Sequence, residues 1–288
     1  MAWWKGWRDE DGSSVRGALS FDPTPDAQVL YKAMKGLGTD EQAIIDVLTK
    51  RSNAQRHQIA RSFKEQFGKD LIASLKSELS GKFERLIVAL MYSPFKYDAK
   101  ELHDALKGLG TSEGVIIEIL ASRTKVQIKE IIKAYKEGKA AFATLCVMGA
   151  LSGPSETQPV ETRHKMPGEL FGLDLKVLCL LFPTVFDEYQ KLASKSLEDS
   201  IRSETHGSLE DAMLAIVKCT RNIHNYFAER LYHALKGAGT CDGTIIRVIV
   251  SRSEIDLNLI KAEFLKIAGK SLSTMILVSS SFLVVMNN

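Results

Sequence analysis

Met34-Lys35-Gly36-Leu37-Gly38-Thr39 decides the reading of this chain, because it returns as Leu106-Lys107-Gly108-Leu109-Gly110-Thr111 and again as Leu235-Lys236-Gly237-Ala238-Gly239-Thr240. Three copies of one K-G-x-G-T string mark a repeat architecture. Each copy is followed by an apolar stretch that ends in an arginine fifteen positions after the first glycine, at Arg51, Arg123 and Arg252, so the copies are in structural phase. The step from Gly36 to Gly108 sets the period, which is 72. A second string, Glu78-Leu79-Ser80-Gly81, recurs as Glu204-Thr205-His206-Gly207, and each leads into an apolar helix, Phe83 to Met91 and Leu209 to Cys219.

Within one unit the punctuation is helical throughout, which makes the fold class all-α. Thr24 reads as a cap with Pro25 at the first helical position, and Ala27, Leu30, Tyr31 and Met34 form an i, i+3, i+4, i+7 stripe. Gly36 supplies the stop. Thr39 to Gln42 reads as a capping box ahead of a stripe of Ile44, Val47 and Leu48. Asn53 caps a third helix that carries Ile59, Phe63 and Phe67, and shorter helices follow near Leu71 to Lys76 and from Phe83. The expected count is about five helices per unit.

Composition narrows the function classes. A chain of 288 residues with 45% apolar content can bury a sizeable core. With 38 basic against 35 acidic residues, the formal charge of +3 gives no electrostatic case for a nucleic-acid partner. The opening Met1 to Trp7 lacks an apolar core of the secretory kind. The apolar stretches Ala140 to Leu151 and Val177 to Phe182 fall short of the roughly 20 residues a membrane span needs, so membrane contact is expected to be peripheral. Cys146, Cys179, Cys219 and Cys241 have neither C-x-x-C spacing nor a dense framework, and reduced thiols in a cytoplasmic protein are expected.

A glycine-rich bend between two helices gathers main-chain carbonyls, which are hard, neutral oxygen ligands suited to Ca2+. In this reading Met34, Gly36 and Gly38 give carbonyls, and Glu78, forty positions after Gly38, gives a bidentate carboxylate. These supply five oxygens where Ca2+ takes about six to eight, so positions stay open for water or a lipid phosphate. The residues alone equally allow helix stops and caps with no metal.

The K-G-x-G-T loops, the arginine at +15 and the acid at +40 from the second loop glycine resemble the repeat pattern of the annexin family, and the likeness covers residues 1–137 and 184–276. It implies four repeats, Ca2+-dependent binding to acidic phospholipid membranes of the phosphatidylserine type, and no catalytic activity. Effects on blood coagulation and inhibition of phospholipase A2 would follow from covering lipid. It also implies a monomer in solution, cytoplasmic and peripheral on plasma or endosomal membranes.

The chain departs from that pattern in its later units. The acid due at +40 from Gly110 is Ala150, and the one due at +40 from Gly239 is Ser279. No glycine bend precedes Glu204, and three periods from Gly36 would put the last loop at 252 rather than 237. Gly153-Pro154-Ser155 and Pro167-Gly168 read as linker. The expected division is therefore a tail over 1–23, a first repeat over 24–93, a partial second repeat over 94–137, a non-family segment over 138–183, a partial third repeat over 184–219, and a fourth repeat over 220–288 with an altered end. Weaker metal candidates are Leu235, Gly237 and Gly239, Leu106, Gly108 and Gly110, Glu204, and the pair Thr39 and Glu41, with Thr111 and Glu113 alike. Caps serve as well for the last two pairs. Trp3, Trp4 and Trp7 suit either a membrane interface or packing on the repeats.

Rival readings fare worse. Gly269-Lys270-Ser271 lacks the earlier glycine of a P-loop, where Phe264 stands, and Asp9 to Gly12 fails as an EF-hand because the twelfth position is Ala18. A calcium-independent helical scaffold remains the alternative, supported by the two missing acids.

Overall fold

The computed structural model describes residues 12–36, 38–107, 111–137, 186–236 and 240–278. The described residues are helices and connecting turns with no strand, and the chain divides into two compact units, Met1–Tyr97 with His224–Asn288, and Asp98–Ile223. The segment 138–183, expected as linker, lies outside the described residues, as do Trp3, Trp4 and Trp7.

The first unit opens with five helices: α1 Pro23–Ala33, α2 Glu41–Leu48, α3 Asn53–Phe67, α4 Leu71–Glu78 and α5 Gly81–Met91. The first four start where a short polar side chain takes up an amide that the helix leaves free. Three of these caps sit one or two positions away from where the sequence reading places them. Asp22, not Thr24, caps α1 and accepts from the Thr24 amide. Asp40, not Thr39, caps α2 through the Ala43 amide. Ser52, not Asn53, caps α3, and Gln55 closes a capping box with it.

Five amphipathic faces meet in one core of Leu30, Ile44, Leu48, Ile59, Phe63, Leu71, Leu75 and Ile87. Tyr31 stacks on Phe67 with ring centroids 4.0 Å apart, and Phe63 meets Phe67 edge-on at 5.1 Å. Arg56 lies buried between α3 and its neighbours, where it donates to the Leu48 carbonyl at 2.7 Å and the Leu90 carbonyl at 3.2 Å. Burial lowers its readiness to hold a proton, and the Glu254 carboxylate at 3.5 Å opposes that.

The same unit holds the end of the chain. α6 Pro94–Leu106 and the long stretch α11 Ser208–Lys236 each run across the boundary between the units, and α11 is broken at Asn222, whose φ of −158° and ψ of 98° are extended. Beyond it come α12 Asp242–Arg252, α13 Leu257–Ala268 and α14 Leu272–Val278. α5 packs on α12, where Ala89, Tyr97 and Ile246 form a small buried cluster. The N-terminal arm ties the two ends together. Ser14 and Val15 donate to the Ser253 carbonyl at 2.9 and 3.0 Å, and Gln55 donates to the Ala18 carbonyl at 2.8 Å.

The second unit contains α7 Glu113–Ser122, α8 Lys125–Glu137, a helix over 186–193 that we call α9, and α10 Leu197–Glu204, with the first part of α11. Phe186, Ile201 and Val217 form a core cluster of this unit.

The arginine at +15 proves to be a strut between helices. Arg51 grips Asp26 of α1 with two hydrogen bonds of 2.6 and 3.0 Å, and Arg123 grips Asp98 of α6 with 2.7 and 3.0 Å, each acid standing 25 residues before its arginine. The matching position before Arg252 is Phe227, so this guanidinium stacks over the Phe227 ring at 4.8 Å and pairs instead with Asp256, just past its own helix end. His224 reaches the same carboxylate at 3.1 Å.

Candidate metal and headgroup site

The bend after α1 is shaped by what ends the helix. The Met34 amide still bonds back to the Leu30 carbonyl at 3.2 Å, and the Lys35 amide shortens its step to Lys32 at 3.1 Å. Gly36 then takes φ 125° and Gly38 φ 92°, conformations that a side chain resists. The chain returns at Asp40, whose amide donates to the Ala33 carbonyl at 2.9 Å.

That closing bond is common to all three loops. Ser112 donates to the Ala105 carbonyl at 2.9 Å, and Cys241 donates to the Ala234 carbonyl at 3.0 Å, again seven positions back. The loops thus share one clamp, formed by the capping residue of the following helix. Gly108, Gly110, Gly237 and Gly239 themselves lie outside the described residues.

Within the clamp of the first loop, the main-chain oxygens of Met34, Gly36 and Gly38 take no hydrogen bond among the described residues. A Cβ built on Gly36 or Gly38 would meet nothing within 4 Å, so the bend is open on that side. Glu78 is the last residue of α4 and is exposed; its Oε2 lies 3.4 Å from the Thr39 hydroxyl, which donates to it. The geometry therefore brings Glu78 beside the 34–39 bend. It also turns the Thr39 hydroxyl toward Glu78, while Glu41 opens α2 and its amide bonds to the Thr39 carbonyl at 3.1 Å.

The weaker candidates are placed differently. Glu204 ends α10 as Glu78 ends α4: the amide after each bonds four positions back, Thr205 to Ile201 and Leu79 to Leu75, both at 2.9 Å. No glycine bend of the 34–38 kind stands beside Glu204 among the described residues. Glu113 accepts a short hydrogen bond from Ser208. Leu106 closes α6 and Leu235 is buried near the end of α11. In the fourth loop Asp242, which occupies the place of Glu41 to within one position, is held by Lys82 at 2.5 Å and by the Thr240 hydroxyl at 2.7 Å. Among the described residues no three His, Cys, Asp or Glu side chains converge, and a site built of carbonyls and one carboxylate does not call for such a cluster.

The donor set fits Ca2+. Its oxygens are hard and mostly neutral, and the single acid sits where the bend is open. No described helix is long and apolar enough to cross a membrane.

Comparison with known proteins agrees with this geometry. The family model described as Annexin matches residues 25–90, 97–139, 183–216 and 226–281. The chain is 59% identical over 312 residues to annexin A8 of Rattus norvegicus, covering 98% of this chain and 95% of that one. A solved structure of a point mutant of annexin A8 with an intact N-terminus overlays with a TM-score of 0.79 at 54% identity, over 93% of this chain and 94% of that one. The calcium-bound structure of annexin (Sm)1 gives 0.73 at 25% identity, over 92% and 88%.

Proposed function

The chain belongs to the annexin family, whose members are calcium-dependent phospholipid-binding proteins, and from that premise we propose that it binds acidic phospholipid surfaces in the presence of Ca2+ through its first repeat. Met34, Gly36 and Gly38 offer main-chain oxygens and Glu78 offers its carboxylate. When bound there, Ca2+ supplies residual positive charge and open coordination positions, which favour an anionic headgroup. The observation that carries this reading is the approach of Glu78 to Thr39, which sets an acid at the open side of a bend with two positive-φ glycines.

The proposal extends to what such coverage does. A protein layer on phosphatidylserine-type lipid would shield it from phospholipase A2 and from coagulation enzymes. We assign the acting form as a monomer, peripheral on the cytoplasmic side of plasma or endosomal membranes. Annexins are generally non-enzymatic, and no reaction is proposed.

One observation favours a reduced role for the fourth loop. Its nearby acid Asp242 is already paired with Lys82, and Ser279 stands where the distant acid would be. Linked weak sites gain roughly 10²–10⁴ in avidity over one site, so a chain that relies on its first loop needs more Ca2+. Sedimentation with phosphatidylserine vesicles across a Ca2+ titration tests the assignment. Glu78→Gln should abolish most Ca2+-dependent binding, whereas undiminished binding by that variant refutes the assignment of Glu78.

A further inference from the structure

Two copies of one helix have opposite fates in this chain. Gly81 and Gly207 both follow the acid of the second repeat string at the same distance, which puts the two helices in register. Phe83, Ile87 and Leu90 of α5 therefore correspond to Leu209, Met213 and Ile216 of α11. The first three are 5%, 0% and 7% exposed, and the second three are 60%, 38% and 51% exposed.

The neighbours on the helix are not shifted in the same way. Ala89 and Met91 are buried, and so are their counterparts Ala215 and Val217. One side of α11 is thus packed as α5 is, and the opposite stripe is bare. In the first repeat that stripe is covered by α1 to α4, the chain immediately before α5. The chain immediately before α9 and α10 is the segment 138–185, whose two flanks, at Glu137 and Phe186, both belong to the second unit.

We infer that the Leu209, Met213 and Ile216 face of α11 is a docking surface for the apolar run Val177-Leu178-Cys179-Leu180-Leu181-Phe182 of the same chain. The run lies between Lys176 and Pro183 and has no polar residue within it. In the register that pairs Gly207 with Gly81, it stands where the first repeat has Arg51 to Arg56, a polar helix start, so it does not reproduce the Ser52 cap and has apolar surface to place. Its tether is short. Phe186 already packs with Val217, the residue next to Ile216, and the four steps from Phe182 to Phe186 reach at most about 14 Å. Covalent linkage at that distance favours this run over any free partner.

The run does not replace everything that is missing. Gly81 and Gly207 stand 126 apart in sequence, whereas two periods of 72 make 144, so the two repeats between them cannot both be complete. One short apolar run on one stripe is what the remaining length allows.

Hydrogen exchange on the full chain tests the inference. The amides of 177–182 should be slowed in the unmodified protein and should exchange at least about tenfold faster in Ile216→Asp. As Ile216→Asp could disturb folding, Met213→Cys gives an independent reading: mild oxidation should join the introduced thiol to Cys179 within one chain, as mapped by peptide mass, while Val126→Cys, an exposed position on α8, should not join. Unprotected amides at 177–182 in the unmodified protein would overturn the inference. So would a linkage of the introduced thiol found only between two chains, which would make a second copy the occupant, or protection that appears only with added vesicles, which would make it lipid.

Discussion

Removing Asp98 should be among the most damaging single changes in the second unit. The pair it forms with Arg123 is almost fully enclosed, with side chains 5% and 7% exposed, and both hydrogen bonds are short. Asp98→Ala leaves a guanidinium inside with the Ser122 hydroxyl at 2.9 Å as a neutral acceptor in place of a carboxylate. Stranding one member of a buried pair costs about 3–5 kcal/mol. For a unit of this size each kcal/mol is worth about 2–4 °C, so the transition should fall by about 6–20 °C. The corresponding pair in the first repeat, Arg51 with Asp26, is 24% and 12% exposed, so water can take over part of the lost interaction and Asp26→Ala should cost about 1.5–3 kcal/mol. The double change Asp98→Ala with Arg123→Met should recover much of the loss, because an apolar side chain of similar length needs no counter-charge. Urea unfolding followed by hydrogen exchange resolves the units separately. A loss under about 1 kcal/mol for Asp98→Ala, or a double variant no better than the single one, would show that the strut does not hold the helices.

Other outcomes follow from the site and from buried charge. Glu254 is held above the usual carboxylate range, chiefly by burial, with Arg56 and the Asn53 amide at 2.6 Å pulling the other way. A carboxyl whose folded pKa is raised binds its proton better when folded, so stability should decline as pH rises from about 4.5 through the folded value. Glu254→Gln, which keeps an acceptor for Asn53, should remove that decline, and an unchanged stability profile between about pH 4 and 7 would contradict it. Gly38→Ala sets a side chain at φ 92°, where open space removes any clash and leaves only the backbone cost of about 1–3 kcal/mol. Calorimetry with Ca2+ and phosphatidylserine vesicles should show weaker binding by Gly38→Ala but not by Gly68→Ala, whose φ of 69° ends α3 away from the bend; equal behaviour of the two would count against the bend as the ligand.

The repeat, its helices and the pairing of Glu78 with the 34–39 bend are legible in spacing alone, because a period fixes which residues share a place in the fold. Cap positions are not. Asp22 and Thr24, Thr39 and Asp40, and Ser52 and Asn53 all have side chains able to cap, and only the backbone angles choose between them. The struts escape a reading of single motifs, though a signal is present. Asp26 and Asp98 stand at one fixed offset before an in-phase arginine, and Phe227 breaks the series where Arg252 finds Asp256 instead. Pairing between helices leaves no local pattern, so it shows only when copies are compared at that offset.

That comparison also separates what holds a loop from what binds a ligand. The clamp that closes each loop is a main-chain bond to Ala33, Ala105 or Ala234, and it survives whether the following cap is Asp40, Ser112 or Cys241. The struts at Arg51 and Arg123 likewise involve none of the candidate ligands. Loss of the distant acid, as at Ala150 and Ser279, therefore removes a ligand without removing a support. The same logic applies to Glu78, which is exposed and makes one long hydrogen bond to Thr39. Glu78→Gln should leave stability without Ca2+ within about 0.5 kcal/mol of the unmodified protein while lowering Ca2+-dependent lipid binding. If it instead lowers thermal stability in a chelator by several degrees, Glu78 is a structural cap of the 34–39 bend, and the lipid-binding loss ceases to be evidence for a metal ligand.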